Sequence, residues 1–144
     1  MKKKTDIIVK LLASDIVGKS ILEVACGCAE LSISAARDAN DVYCIDIDDS
    51  RLPDVLPENI YFEKMDASNM RYSEESFDTI IIYNAFYHIY AQWDSIKKEC
   101  LRVLKPAGKL FIISTWKLDN ALMNDVFNED LKKHKDFLIA ELSK

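Results

Sequence analysis

Carboxylates, small residues and one histidine gather at the ends of apolar runs in this sequence. Glu23, Ala25, Cys26 and Gly27 lie in EVACGCA (23–29), and Asp46, Ile47 and Asp48 in CIDID (44–48). Asp66 and Ala67 lie in KMDAS (64–68), while Tyr83, Asn84, Tyr87 and His88 close SFDTIIIYNAFYHI (76–89). A carboxylate after a strand offers two acceptor oxygens to paired hydroxyls. A turn of small residues lets backbone approach a ligand closely. Histidine is the side-chain type suited to act as a general base at neutral pH, which makes His88 the candidate. Glu23, inside an apolar run, requires a hydrogen-bond partner if it is buried. Asp48 rivals Asp46 as a ligand contact, Asp49 reads as a surface or capping group, and Asp78, at the start of its run, reads as structural.

Two other chemistries are weaker. Cys26 and Cys28 form a C-x-C pair, but no second pair or histidine cluster stands at zinc-site spacing, so no metal is expected. A dinucleotide fingerprint G-x-G-x-x-G is absent, and Cys26, Cys28 and Ala29 narrow the backbone room that a pyrophosphate needs. NAD is therefore the lesser reading.

The elements that would position these groups follow from periodicity. Ile7, Ile8, Leu11, Leu12 and Ile16 predict a helix over about 5–17, ending before Gly18. SILEVAC (20–26), DVYCIDI (41–47), NIYFEKM (59–65), SFDTIIIYN (76–84) and GKLFIISTW (108–116) read as five strands. Helical spacing returns over 29–39, over 92–104 ahead of Pro106, and from Leu118 to Leu142. Apolar strands joined by long crossovers imply an α/β fold: a parallel sheet with helices on both sides. In such sheets ligands bind beyond the carboxyl ends of the strands, where the chemistry-bearing groups fall.

Composition bounds the function. The chain has 144 residues, 49% of them hydrophobic, enough for a single domain over 1–144. With 19 Lys and Arg against 24 Asp and Glu, the net charge of −5 argues against nucleic-acid phosphates as partners. No apolar run is long enough to span a bilayer, and the lysine cluster at 1–4 is too short to anchor one, so no membrane partner is expected. The four cysteines, with no secretory signal before them, read as reduced thiols of a cytoplasmic protein.

Taken in order, the five segments EVACGCA, CIDID, KMDAS, SFDTIIIYNAFYHI and LRVLKPAGKLFI (101–112) resemble the successive motifs of class I S-adenosylmethionine-dependent methyltransferases. The likeness is strongest to the small-molecule branch of type 11 and ubiquinone/menaquinone methyltransferase-like proteins, and covers about 20–115. It implies a Rossmann-like three-layer sandwich with strand order 3-2-1-4-5, binding S-adenosyl-L-methionine and releasing S-adenosyl-L-homocysteine. It also implies that Glu23 sits near the methionine end, Gly27 under the ligand and Asp46 at the ribose diol, with Ala25, Cys26, Ile47 and Tyr83 around them. Asp66 would face the adenine amine and the Ala67 N–H a ring nitrogen. The acceptor, a small molecule, would lie beside Tyr83, Asn84 and His88, with His88 the base where one is needed. A methyltransferase-like binding or regulatory protein without catalysis is the alternative.

Two departures from the family pattern set further expectations. Ala25 and Ala29 replace the outer glycines of the family's E/D-x-G-x-G-x-G loop, and the second methyl is expected to hinder cofactor approach. The usual last two strands are expected to be missing, because 118–142 reads as one helix. That would leave strand five at a sheet edge, covered by this helix or by a second subunit. A homodimer covering that edge or completing the acceptor site is the expected assembly.

Overall fold

The structure, a computed structural model, describes residues 3–134 and 136–144. Met1 and Lys2 of the lysine cluster, and Lys135 within the expected last helix, lie outside the described residues. The elements run α1 (Lys4–Leu11), α2 (Ala13–Ile16), β1 (Ser20–Val24), α3 (Glu30–Ala36), β2 (Asp41–Asp46), β3 (Ile60–Lys64) and β4 (Phe77–Tyr83). They continue with α4 (Phe86–Ile89), α5 (Trp93–Val103), β5 (Leu104–Ser114), α6 (Lys117–Phe127), β6 (Leu131–His134) and β7 (Phe137–Ser143). The first helix of the sequence reading is split at Leu12, whose backbone leaves helical geometry.

The sheet has seven strands in the order β3-β2-β1-β4-β5-β7-β6. The first five are parallel in the expected order. Successive side chains of a strand point to opposite faces, and both faces are apolar. Leu22, Ile80, Ile82, Leu110 and Ile112 point into a layer containing Phe86, Trp93, Ile96 and Met123 of the α4–α6 side. Ile21, Ile81, Phe111 and Ile113 point into the opposite layer, with Ile8 of α1 and Leu31 and Ala35 of α3. Side-chain hydrogen bonds fasten the second layer: Thr5 Oγ1 to Ser34 Oγ at 2.7 Å, and Thr79 Oγ1 donating to Asp15 O at 2.6 Å.

The five-strand expectation is corrected at the end of the chain. In place of one helix over 118–142 there is α6, then an antiparallel hairpin, with β7 paired to β5 from Lys109↔Ser143 to Ser114↔Leu138. The two strands expected to be missing are present. The error has a simple cause: Leu138 and Leu142 stand four apart, a spacing that fits one helical turn and also two strand repeats. Phe137 and Ile139, both buried, carry the alternation that decides it. α6 ends instead at Asn128, whose φ of +30° no helix sustains.

β5 is thus an interior strand, and its exposed edge no longer calls for a second subunit. The sheet's outer strand on that side, β6, lies beyond β7 and carries Lys132 and Lys133 on exposed positions, a charged edge that discourages further pairing. β5 also starts earlier than the expected 108. Leu104 pairs with Phe77, the register shifts, and pairing resumes at Thr79↔Lys109. Gly108 makes that bulge close: a methyl there would stand 2.7 Å from Leu104 Cδ1 and 2.8 Å from the carbonyl oxygens of Asp78 and Lys105. Asp78 is structural, as expected: its Oδ2 accepts from Ser20 N at 2.9 Å, tying the start of β1 to β4. Among the described residues no helix is long and apolar enough to cross a membrane.

Candidate functional site

The carboxyl ends of β1, β2, β3 and β4 open on one cleft of about 500 Å³, inside the roughly 300–1,000 Å³ range of small-ligand sites. Every residue the sequence reading assigned to a site lines it: Glu23, Ala25, Cys26 and Gly27 from the first turn, Asp46 and Ile47 from the second. Asp66 and Ala67 come from the third, and Tyr83, Asn84 and His88 from the fourth. The parallel topology does this, since strands running the same way end on the same side of the sheet.

The turn after β1 is the most constrained part. Ala25, Gly27 and Ala29 all take left-handed φ, at +59°, +57° and +61°. Only glycine does so without strain; an L-residue pays roughly 1–2 kcal/mol. The turn is held from the neighbouring strand: Cys26 N donates to Ile45 O at 3.0 Å, and Gly27 N to Asp46 Oδ2 at 2.8 Å. Asp46 Oδ1 accepts from Asp48 N at 3.1 Å. Each oxygen of Asp46 therefore keeps one lone pair for a ligand hydroxyl. Ala29 is fully buried in the apolar layer beside α3 and is absent from the lining of the cleft. The expectation that its methyl hinders a ligand is overturned; only Ala25 of the two faces the cleft.

Glu23 is 1% exposed and has the partner its burial demands. Its Oε1 accepts from Ser32 N at 3.1 Å and Ser32 Oγ at 2.7 Å, both in α3. Burial outweighs these bonds and raises its pKa from 4.5 to about 8. Asp66, exposed, is the reverse case: Oδ1 accepts from Ser68 Oγ and N at 2.7 and 2.9 Å, which lowers its pKa and leaves Oδ2 unengaged. The rival Asp48 spends its carboxylate on Ser50, at 3.0 Å from N and 2.8 Å from Oγ.

On the fourth strand's side the geometry divides the candidates. Asn84, at φ +50°, has both amide atoms engaged by Thr115: Oδ1 accepts from its N–H at 2.8 Å and Nδ2 donates to its Oγ1 at 2.9 Å. It clamps the end of β4 to the end of β5. Burial raises the pKa of Tyr83. His88 is exposed at the mouth, its ring stacked on Trp116 at 5.6 Å between centroids. Asp119 was missed by the sequence reading. Fully buried in the first turn of α6, it accepts from Tyr87 N at 2.8 Å and so fixes α4, the turn that carries His88. Burial raises its pKa, and its Oδ2 has no partner among the described residues. Its one local signal, an acid in the opening turn of a helix, reads as an ordinary solvent-facing group, and its partner Tyr87 stands 32 residues away in the sequence.

All four cysteines are free thiols; Cys28 alone is exposed. Among the described residues, no three His, Cys, Asp or Glu side chains gather as a metal site would require.

Comparison with known proteins converges on one family. Residues 22–112 match the family described as "Methyltransferase domain". The ubiquinone/menaquinone biosynthesis C-methyltransferase UbiE of Azotobacter vinelandii (strain DJ / ATCC BAA-1303) is 30% identical over 122 residues, which cover 77% of this chain and 48% of that protein. The chain thus spans about half the length of the curated relatives it matches. Among solved structures, the (4+2)-cyclase SpnF superposes with a TM-score of 0.67 at 25% identity, over 76% of this chain and 44% of that one. The PH0226 protein of Pyrococcus horikoshii OT3 gives 0.66 at 19% identity, over 94% and 69%.

Glu23 makes stability depend on pH. Between about pH 5 and 8 the folded protein holds a proton that the unfolded chain has released, so unfolding free energy falls as pH rises through that window. Glu23→Gln keeps an acceptor for Ser32 and removes the titration. Denaturant unfolding at intervals from pH 5 to 8 should show a flatter slope in the variant; parallel slopes would remove Glu23 as the cause.

Proposed function

The chain belongs to the methyltransferase-domain family, and we propose that it transfers a methyl group from S-adenosylmethionine to a small-molecule acceptor, residues 1–144 acting as one unit. The observation that carries the reading is the convergence of Glu23, Asp46, Asp66 and His88, from four separate strand ends, on one cleft of about 500 Å³.

The residues present fit this cofactor. Asp46 keeps two lone pairs for the ribose diol, while its other two hold the turn over which the ligand passes. Asp66 Oδ2 is open to the adenine amine, with the Ala67 N–H beside it for a ring nitrogen. Glu23 faces the methionine ammonium, and a cation there favours its carboxylate, so binding would release the proton that burial retains. Ala25, Cys26, Ile47 and Tyr83 supply the walls that exclude water. When bound, S-adenosylmethionine supplies an activated sulfonium methyl, so alignment and desolvation provide most of the acceleration.

The acceptor side is formed by Tyr83, Asn84 and His88. Asn84 fixes the strand end through Thr115, and Asp119 fixes the α4 turn. His88, at the open mouth, takes the acceptor's proton where the acceptor arrives protonated. A second copy of the chain completing this side, in a cytoplasmic homodimer, belongs to the same reading.

Calorimetric titration tests the cofactor. S-adenosylmethionine and S-adenosylhomocysteine should bind and NAD should not, and at 100 times the dissociation constant the ligand should stabilise the protein by roughly 2.7 kcal/mol. Asp46→Ala should weaken S-adenosylhomocysteine by roughly 1–3 kcal/mol; preference for NAD, or unchanged affinity in the variant, would sink the assignment. In a screen of metabolite mixtures for methyl acceptance, His88→Gln should lower kcat and leave S-adenosylhomocysteine affinity unchanged, whereas a loss confined to affinity would reassign His88 to cofactor binding. Sedimentation at micromolar concentration should give a dimer, and a monomer there removes the second subunit.

A further inference from the structure

The cleft has a lopsided charge. Glu23, Glu30, Asp46, Asp48 and Asp66 line it, and Arg51 is the only lysine or arginine among the described lining residues. These acids suit the ammonium and sulfonium of an amino-acid sulfonium ligand. They repel its carboxylate.

The start of α3 is a poor answer to that carboxylate. Its first residue is Glu30, whose own carboxylate lies in the opening turn and lines the cleft. An acid at that position already complements the exposed N–H groups and the positive end of the helix. The incoming carboxylate needs another cation.

Arg51 is the side chain lining the cleft that can supply one. It belongs to the loop after β2, yet its guanidinium lies directly over the backbone of Gly27, so that any side chain at Gly27 would overlap it. The glycine thus makes room for the arginine as well as for the turn. Among the described residues the guanidinium has no hydrogen bond and no carboxylate within ion-pair distance. It is exposed and long enough to move, and nothing it would give up holds it in place. A guanidinium so placed has a planar fork of donors suited to a carboxylate in two parallel hydrogen bonds.

We propose that Arg51, lying over Gly27 as the one basic side chain lining an acidic cleft, binds the amino-acid carboxylate of the cofactor and selects ligands that carry it. This rests on the cofactor reading above. It adds a residue to which the sequence motifs assign nothing, on the loop after β2 and lining the same cleft as the ammonium partner Glu23, so that the two charges of the amino-acid group each meet an opposite one.

The experiment compares two ligands that share the nucleoside and differ in the tail. S-adenosylhomocysteine carries the carboxylate; 5′-methylthioadenosine ends in a methyl group. Titration calorimetry on the full chain should show Arg51→Ala weakening S-adenosylhomocysteine tenfold or more while changing 5′-methylthioadenosine less than twofold. Arg51→Lys, which keeps the charge but not the fork, should fall between. Unchanged thermal melting of the variants checks that the exposed substitution leaves the fold intact. Equal losses for both ligands, a loss for neither, or tighter binding of S-adenosylhomocysteine would overturn the proposal; the last would make Arg51 a plug that the ligand displaces. Failure of the unsubstituted protein to bind either ligand would overturn the cofactor reading and this inference with it, and is distinguished by that first titration.

Discussion

Everything at the carboxyl end of the sheet depends on one constraint: the chain must leave a fully buried strand at Val24 and enter a helix at Glu30 that packs back on the same sheet. Five residues accomplish this, and three of them take left-handed φ. Such a turn is not stable on its own. It is closed by the neighbouring strand, through Ile45 O to Cys26 N and the carboxylate of Asp46 to Gly27 N. Asp46 therefore does two things at once: half of its lone pairs build the floor of the cleft, and the other half face into it.

The same arrangement explains why polar groups collect where they do. Both faces of the sheet are covered, so a charged side chain within a strand is expensive unless bonded. Glu23 survives there because Ser32 donates to it twice from α3, and even so burial keeps its proton near neutral pH. At the strand ends solvent is near, and Asp46, Asp66 and Asp48 each form local turns with N–H groups two residues on. The cleft is acidic as a consequence of loop geometry as much as of any ligand, which is why a lone arginine in it is informative.

Much of this was legible in the residues. The five parallel strands follow from runs of β-branched and aliphatic residues, their order from the resemblance of the five motifs to a known family, and the residues that line the cleft from the small or acidic residues placed just after those runs. What could not be read was set by contacts distant in sequence. Asn84 looks like a catalytic amide until Thr115, 31 residues away, takes both its ends. Asp119 matters because it reaches α4 across more than 30 residues. The terminal hairpin was hidden by an accident of arithmetic, a four-residue leucine spacing common to both periods, and no glycine or proline stands between Leu118 and Leu142 to break the tie.

The alanines of the first turn show how such a departure from pattern is to be weighed. A left-handed alanine costs roughly 1–2 kcal/mol relative to glycine. Against this, alanine narrows the unfolded ensemble, which contributes roughly 0.4–1 kcal/mol, and a fully buried methyl contributes about 0.8 kcal/mol. At Ala29, completely buried beneath α3, the two sides nearly cancel, and the methyl points away from the cleft. At Ala25, half-buried and facing the cleft, the burial contribution is smaller and the strain stays in the floor of the site. The low glycine content is therefore tolerated for different reasons at two positions four residues apart, and at Gly27 a methyl would add to the same backbone strain an overlap with the Arg51 guanidinium, 2.2 Å from where its carbon would stand.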